Sequence, residues 1–131
     1  MGSSFPVTPT SLISSLKICS ERKDIYTGMG MHAYVLKHGL LRNDDDDVSI
    51  GNAIISMYVK CGALKKAQEV FNDLLVRNDV SWNVLIAAYV HCSLNHQALE
   101  LFGRMQEEGF FPDAITFTCI LKACGNLKLA T

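Results

Sequence analysis

The segment Asn52-Ala-Ile-Ile-Ser-Met-Tyr-Val-Lys-Cys-Gly-Ala-Leu-Lys-Lys-Ala-Gln-Glu-Val-Phe-Asn-Asp-Leu74 is answered 31 residues later by Asn83-Val-Leu-Ile-Ala-Ala-Tyr-Val-His-Cys-Ser-Leu-Asn-His-Gln-Ala-Leu-Glu-Leu-Phe-Gly-Arg-Met105. Asn52 matches Asn83, Tyr58 matches Tyr89, Cys61 matches Cys92, Ala67 matches Ala98 and Phe71 matches Phe102. A second echo links the two ends, where Leu16-Lys-Ile-Cys19 returns as Leu121-Lys-Ala-Cys124. Self-similarity at this period marks a stacked-repeat protein, whose function lies in a surface built one unit at a time.

Ala98, Leu101, Phe102 and Met105 fall at i, i+3, i+4 and i+7, on one face of a helix. The earlier copy repeats the set as Ala67, Val70, Phe71 and Leu74. Upstream of each runs another stripe: Ile54, Ile55, Tyr58 and Val59, then Leu85, Ile86, Tyr89 and Val90. The unit is therefore a helical hairpin. Gly62 marks the end of the first helix in one copy, and Ser93-Leu94-Asn95 fills that place in the other. Gly109 ends the second helix, and Pro112 prevents its continuation. A lone hairpin cannot bury both stripes, so the units stack into an all-α, right-handed solenoid. Ala67 and Ala98 are expected in its core.

The 131 residues have room for a single domain by length. Twelve basic and 13 acidic side chains leave a net charge of −1. No electrostatic footprint for nucleic acid follows from that balance. Cys19, Cys61, Cys92, Cys119 and Cys124 contain no Cys-x-x-Cys pair and recur largely at equivalent positions, which predicts small buried thiols rather than disulfides or zinc ligands. No apolar run approaches the roughly 18 residues that a membrane span needs. The first twenty residues are serine-rich without acidic residues, as in transit peptides, but also lack arginine.

Laid end to end, the copies start near Pro9, Val48, Asp79 and Ala114, giving units 9–47, 48–78, 79–113 and a truncated 114–131. Asp44–Asp47 joins the first two units, and four adjacent carboxylates predict a solvated loop rather than a metal site. The last unit supplies one helix, from Ile115 to about Gly125. Its Ile120 and Leu121 make a poor polar cap, so the chain is expected to be a piece of a longer array, marginally stable or self-associating when isolated.

Two repeat families fit this pattern. Trp82-x-x-Leu85, Tyr89, Ala98 and Phe102 have tetratricopeptide spacing, the mark of a scaffold that grips a peptide in its concave face. Ile86 stands where that motif wants glycine, and the spacing here varies between 31, 35 and 39. Asp79-Val-Ser-Trp-Asn-Val-Leu-Ile-Ala-Ala-Tyr89, Gln97-Ala-Leu-Glu-Leu-Phe-Gly-Arg-Met105 and Glu108-Gly-Phe-Phe-Pro-Asp113 together resemble the pentatricopeptide repeat more closely. Gly51–Gly62 resembles a short motif, while Gly28–Gly39 and Thr116–Cys124 resemble the ends of long ones. The alternation resembles the plant subclass that cycles long, short and standard motifs.

That resemblance implies single-stranded RNA binding at one base per repeat. It implies that fifth and last motif positions read the base edge, while second positions of neighbouring repeats sandwich the ring. On this chain the reading pair of the Asp79 unit is Asn83 with Asp113, clamped by Val80 and Ile115, and the pairing favours uracil. In the Val48 unit the pair is Asn52 with Asn78, favouring a pyrimidine, cytosine first. Its second position, Ser49, is a poorer clamp. In the first unit Ile13 cannot hydrogen-bond a base, and Asn43 and Asp47 contend for the last position. Thr118 is the candidate reader in the final unit. An asparagine amide carries both a donor and an acceptor, which suits a pyrimidine edge.

Other residues invite a role. Trp82, Tyr58 and Tyr89 have the chemistry to stack on bases, but at helical spacing among aliphatics they are expected in the core. His32, His38, His91 and His96 share no ligand spacing with the cysteines. The sequence shows no phosphate-cradling glycine loop, no nucleophile elbow and no deaminase-type zinc signature. The expectation is an RNA-binding adaptor of a plant mitochondrion or chloroplast, serving RNA editing or other processing with protein partners. It implies no enzyme activity, no cofactor, no metal, no membrane and no small-molecule substrate.

Overall fold

The computed structural model describes residues 8–41 and 45–130, without the side chains of 45–47 and 129–130. Among these residues all regular structure is helical: α1 (Pro9–Arg22), α2 (Ile25–Lys37), α3 (Asp45–Lys60), α4 (Leu64–Asp73), α5 (Asp79–His91), α6 (Asn95–Glu107) and α7 (Ala114–Ala130).

Each hairpin turns by the same local chemistry. Lys23, Gly62 and Ser93 follow α1, α3 and α5 in the left-handed backbone region, at φ 54°, 80° and 62°. The next residue's N–H then reaches five residues back, from Asp24 to Cys19 O, Ala63 to Tyr58 O and Leu94 to Tyr89 O, at 2.8–2.9 Å. These bonds satisfy carbonyls that the helix end leaves without partners. Gly39 and Gly109 close α2 and α6 in the same manner.

α1, α3, α5 and α7 pack successively against one another. α2 rests on α1 and α3, α4 on α3 and α5, and α6 on α5 and α7, while the backbones of successive second helices stand farther apart than those of the first helices, bridged only by long side chains such as Arg104 over the Phe71 ring. A stack whose members meet in one layer and spread in the other curves toward the layer that meets, so the first helices line the inner face. Between the layers lies the core. Leu16, Val35, Ile54, Ile55, Phe71, Trp82, Leu85, Ile86 and Met105 are fully buried, and so are Ala67 and Ala98. Phe71 and Trp82 meet edge to face with centroids 4.7 Å apart. Gly51 lets α3 approach α4: a Cβ there would lie 2.7 Å from Leu74 Cδ2. Trp82 and Tyr58 are core residues as expected, and Tyr89 is half-buried, with its hydroxyl donating to Gln68 Oε1 at 2.7 Å.

Three expectations need correction. The acidic run is not a loop throughout, because α3 begins at Asp45; acidic residues suit the positive end of a helix dipole. Asp44 lies outside the described residues. α7 does not stop at Gly125 but runs to Ala130. One interior glycine costs a helix about 1 kcal/mol, and no proline follows to end it. The cysteines are all free, but only Cys19 is buried; Cys61 and Cys119 are half-buried, and Cys92 and Cys124 are exposed. Cys61 and Cys92 sit just past the ends of α3 and α5, where the chain leaves the packed layer.

Candidate nucleic-acid interface

Among the described residues, α1, α5 and α7 each begin on a polar cap, and these caps organise the inner face. Thr8 caps α1 with Ser11, and Asn78 caps α5 with Ser81 in a reciprocal box. The Asn78 N–H donates to Ser81 Oγ at 3.1 Å, and the Ser81 N–H donates to Asn78 Oδ1 at 3.1 Å. Asp113 and Thr116 repeat the box at α7, with bonds of 3.1 and 3.0 Å. Both boxes satisfy N–H groups that a helix start otherwise leaves open.

Each box also captures an asparagine from the preceding first helix. Asn52 Nδ2 donates to Asn78 Oδ1 at 3.0 Å, and Ser81 Oγ donates to Asn52 Oδ1. Asn83 Nδ2 donates to Asp113 Oδ1 and Oδ2 at 3.2 and 3.3 Å, and Thr116 Oγ1 donates to Asn83 Oδ1 at 2.6 Å. The two sequence-derived pairs, Asn52 with Asn78 and Asn83 with Asp113, are thus each brought into contact. Asn83 is nearly buried and Asp113 is exposed. The Thr116 N–H first of all, then the Thr116 hydroxyl and the Asn83 amide, hold the Asp113 carboxyl below the usual aspartate range.

Val80 and Ile115 are 53% and 61% exposed. They flank a cleft of about 310 Å³ whose floor includes Asn83, Val84, Ala87 and Asp113. Val84 and Ala87 also line a largely apolar groove of about 430 Å³ between α3 and α5, with Lys60 and His91 at its edge. Ala87 and His91 continue into a third hollow with Thr118 and Lys122. The three hollows share Ala87 and neighbouring residues and lie side by side along the inner face of α3, α5 and α7.

Thr118 and Ile13 are not brought into such a pair. Ser49 is exposed on α3. Thr118 is exposed and donates to Ala114 O at 2.8 Å, within its own helix. Ile13 is half-buried against the core. Asn43 and the Asp47 side chain lie outside the described residues, and Asp47 falls inside α3 rather than at a cap.

Sequence inspection missed Ser81 and Thr116, both fully buried. A signal was present: Thr8-x-x-Ser11, Asn78-x-x-Ser81 and Asp113-x-x-Thr116 repeat one spacing at the start of three first helices. His32 donates to or accepts from the Tyr58 hydroxyl at 2.8 Å, and no group of metal-ligating side chains occurs among the described residues.

Residues 52–78 match a PPR repeat model, and residues 77–126 match the model of the PPR repeat family. A pentatricopeptide repeat-containing protein of Arabidopsis thaliana is 40% identical over 124 residues, covering 92% of this chain and 18% of that protein. A second, described as chloroplastic, is 35% identical over 119 residues, covering 91% of this chain and 23% of its own length. The chain thus spans about a fifth of the length of these relatives. The crystal structure of the pentatricopeptide repeat protein PPR10 from maize superposes with a TM-score of 0.80 at 19% identity, over 95% of this chain and 18% of that one. The solenoid is shared with that structure, the repeat models together span 52–126, more than half of the chain, and the chain belongs to the pentatricopeptide repeat family.

Proposed function

We propose that the chain binds single-stranded RNA along its inner face, one base per repeat, as part of a longer organellar adaptor for RNA editing or processing. The observation that carries this reading is the recurrence of one asparagine–cap network at two successive repeats, beside exposed aliphatic side chains. In this reading the units are 9–47, 48–78, 79–113 and 114–131, of the long, short, standard and long types of the plant subclass.

The donor and acceptor pattern supports different bases at the two networks. Asn83 keeps one free Nδ2 hydrogen and Asp113 keeps carboxylate lone pairs, a donor beside an acceptor. Uracil offers the complement, a carbonyl beside an N3–H. At the other network Asn78 Oδ1 is occupied by Asn52 and Ser81, so its amide hydrogens face outward beside the free hydrogen of Asn52. Two donors suit the N3 and O2 acceptors of cytosine. Val80 and Ile115 supply apolar edges on which a ring would lie, and Ser49 supplies none to the neighbouring site. The chloroplastic relative supports a plastid or mitochondrial setting.

The experiment is a binding comparison at fixed salt. Replacing Asn83 and Asp113 together with alanine should abolish base preference at one position and leave a folded helical chain. A folded double variant with unchanged base preference would remove these residues from the interface and favour a peptide in the apolar α3–α5 groove.

A further inference from the structure

We infer that Thr116 and Ser81, the third residues of the repeats that follow each reading pair, are positioning residues that set which face of the reading asparagine meets the base. The inference rests on the RNA reading above and adds a residue to each site.

Each hydrogen bond of the network has a fixed direction. A backbone N–H can only donate, so the Asp113 N–H makes Thr116 Oγ1 an acceptor at 3.1 Å. The hydroxyl then has a single proton to share between Asn83 Oδ1 at 2.6 Å and Asp113 Oδ1 at 3.0 Å, and the shorter contact is the one to Asn83. At the other end a carboxylate can only accept, so Asp113 draws Asn83 Nδ2. The ring closes on itself with a fixed polarity: Asp113 N–H to Thr116, Thr116 to Asn83, Asn83 to Asp113. Reversing the amide would set Oδ1 against the Asp113 carboxylate and take from the Thr116 hydroxyl its 2.6 Å acceptor. Only one amide orientation satisfies both neighbours, and it leaves a donor facing the cleft.

The same ring recurs one repeat earlier. The Asn78 N–H donates to Ser81 Oγ, Ser81 Oγ donates to Asn52 Oδ1, and Asn52 Nδ2 donates to Asn78 Oδ1. Thr116 and Ser81 are both fully buried, so water cannot replace either hydroxyl without opening the helix start. Without the hydroxyl the amide is held from one side only, and its two orientations approach each other in energy. Donor and acceptor then exchange at the base edge.

The test uses the full chain, the octamers AAACUAAA and AAACCAAA at one salt concentration, and circular dichroism to verify folding. Wild type should prefer the uracil-containing octamer. Thr116→Val keeps the shape without the hydroxyl and should lose about 3- to 10-fold of that preference, the worth of one hydrogen bond. Thr116→Ser should retain it. A merely structural role predicts that Thr116→Val weakens both octamers equally with their ratio intact, and that outcome overturns the inference while leaving base reading in place. Equal binding of both octamers by wild type overturns base reading itself, and the inference with it. If Thr116→Val does not fold, Ser81→Ala takes its place, with AAACUAAA against AAAUUAAA and the same interpretation of the ratio.

Discussion

Asp113 accepts the Asn83 amide at 3.2 Å and the backbone N–H of Thr116 at 3.0 Å, so one carboxylate both lines the cleft between Val80 and Ile115 and starts α7. The residue types that suit a helix N-cap are Asn, Asp, Ser and Thr, short side chains with an acceptor oxygen. A last-position reader that also caps must come from that set.

Substitution at Asp113 therefore separates two roles. Asp113→Ala should lower the urea midpoint and abolish base preference, because both cap and reader are lost. Asp113→Asn keeps a cap acceptor and should leave the midpoint nearly unchanged, while preference moves from uracil toward cytosine by about 3- to 10-fold. Denaturation and RNA titration of the two variants check this; an Asn variant that still favours uracil would contradict it.

The turn after α5 stores removable strain. Ser93 holds φ 62° where Gly62 holds φ 80° in the previous copy. Left-handed backbone costs a non-glycine residue about 1–2 kcal/mol, partly offset by the greater freedom of unfolded glycine. Ser93→Gly should raise stability by about 0.5–1 kcal/mol. Gly62→Ala should lower it by about 1 kcal/mol through conformation alone, since nothing lies within 4 Å of an added Cβ. Urea unfolding of both variants tests the pair.

Ala98 is fully buried between the layers. Ala98→Phe should overpack the core and cost about 1–3 kcal/mol. An unchanged melting temperature would take Ala98 out of the core.

Mild acid should loosen the first two hairpins. His32 is half-buried against Tyr58, and burial, with Lys66 nearby, pushes its imidazole below the ordinary value. The fold thus favours the neutral ring. Stability from this source is complete above the unfolded imidazole pKa of about 6.5 and is lost as pH falls through the lower folded value. Urea midpoints at pH 7.5 and 5.5 should differ in the wild type and differ less in His32→Gln. The Asp113 and Asp24 carboxyls, both held low by cap hydrogen bonds to Thr116 and Thr27, lose their contribution only further down, below the ordinary aspartate range.

The repeating stripes made the solenoid legible, because Ile54, Ile55, Leu85 and Ile86 recur at a period that only a buried helix face explains. Asn52 and Asn83 were legible through their register, and Asn78 and Asp113 through the motif they resemble. Ser81 and Thr116 were not, because a hydroxyl in the first turn of a helix is commonplace until its partners on the neighbouring repeat's first helix are known. Exposure of Cys92 was equally hidden: a thiol at a helix end has the same sequence neighbours whether it turns inward or out, and Cys124 lies on the outward side of α7 because that helix continues past Gly125. The helical start at Asp45 was missed because repulsion within an acidic run and its attraction to a helix N-terminus oppose each other, and sequence alone does not weigh them.

The most direct test places the segment Val48–Asp113 inside a well-behaved repeat array and titrates single-stranded RNAs that differ only at the two facing bases, at one salt concentration. The account predicts preference for cytosine then uracil, with the uracil preference lost in Asn83→Ala. Equal affinity for all bases by a stably folded array would contradict it.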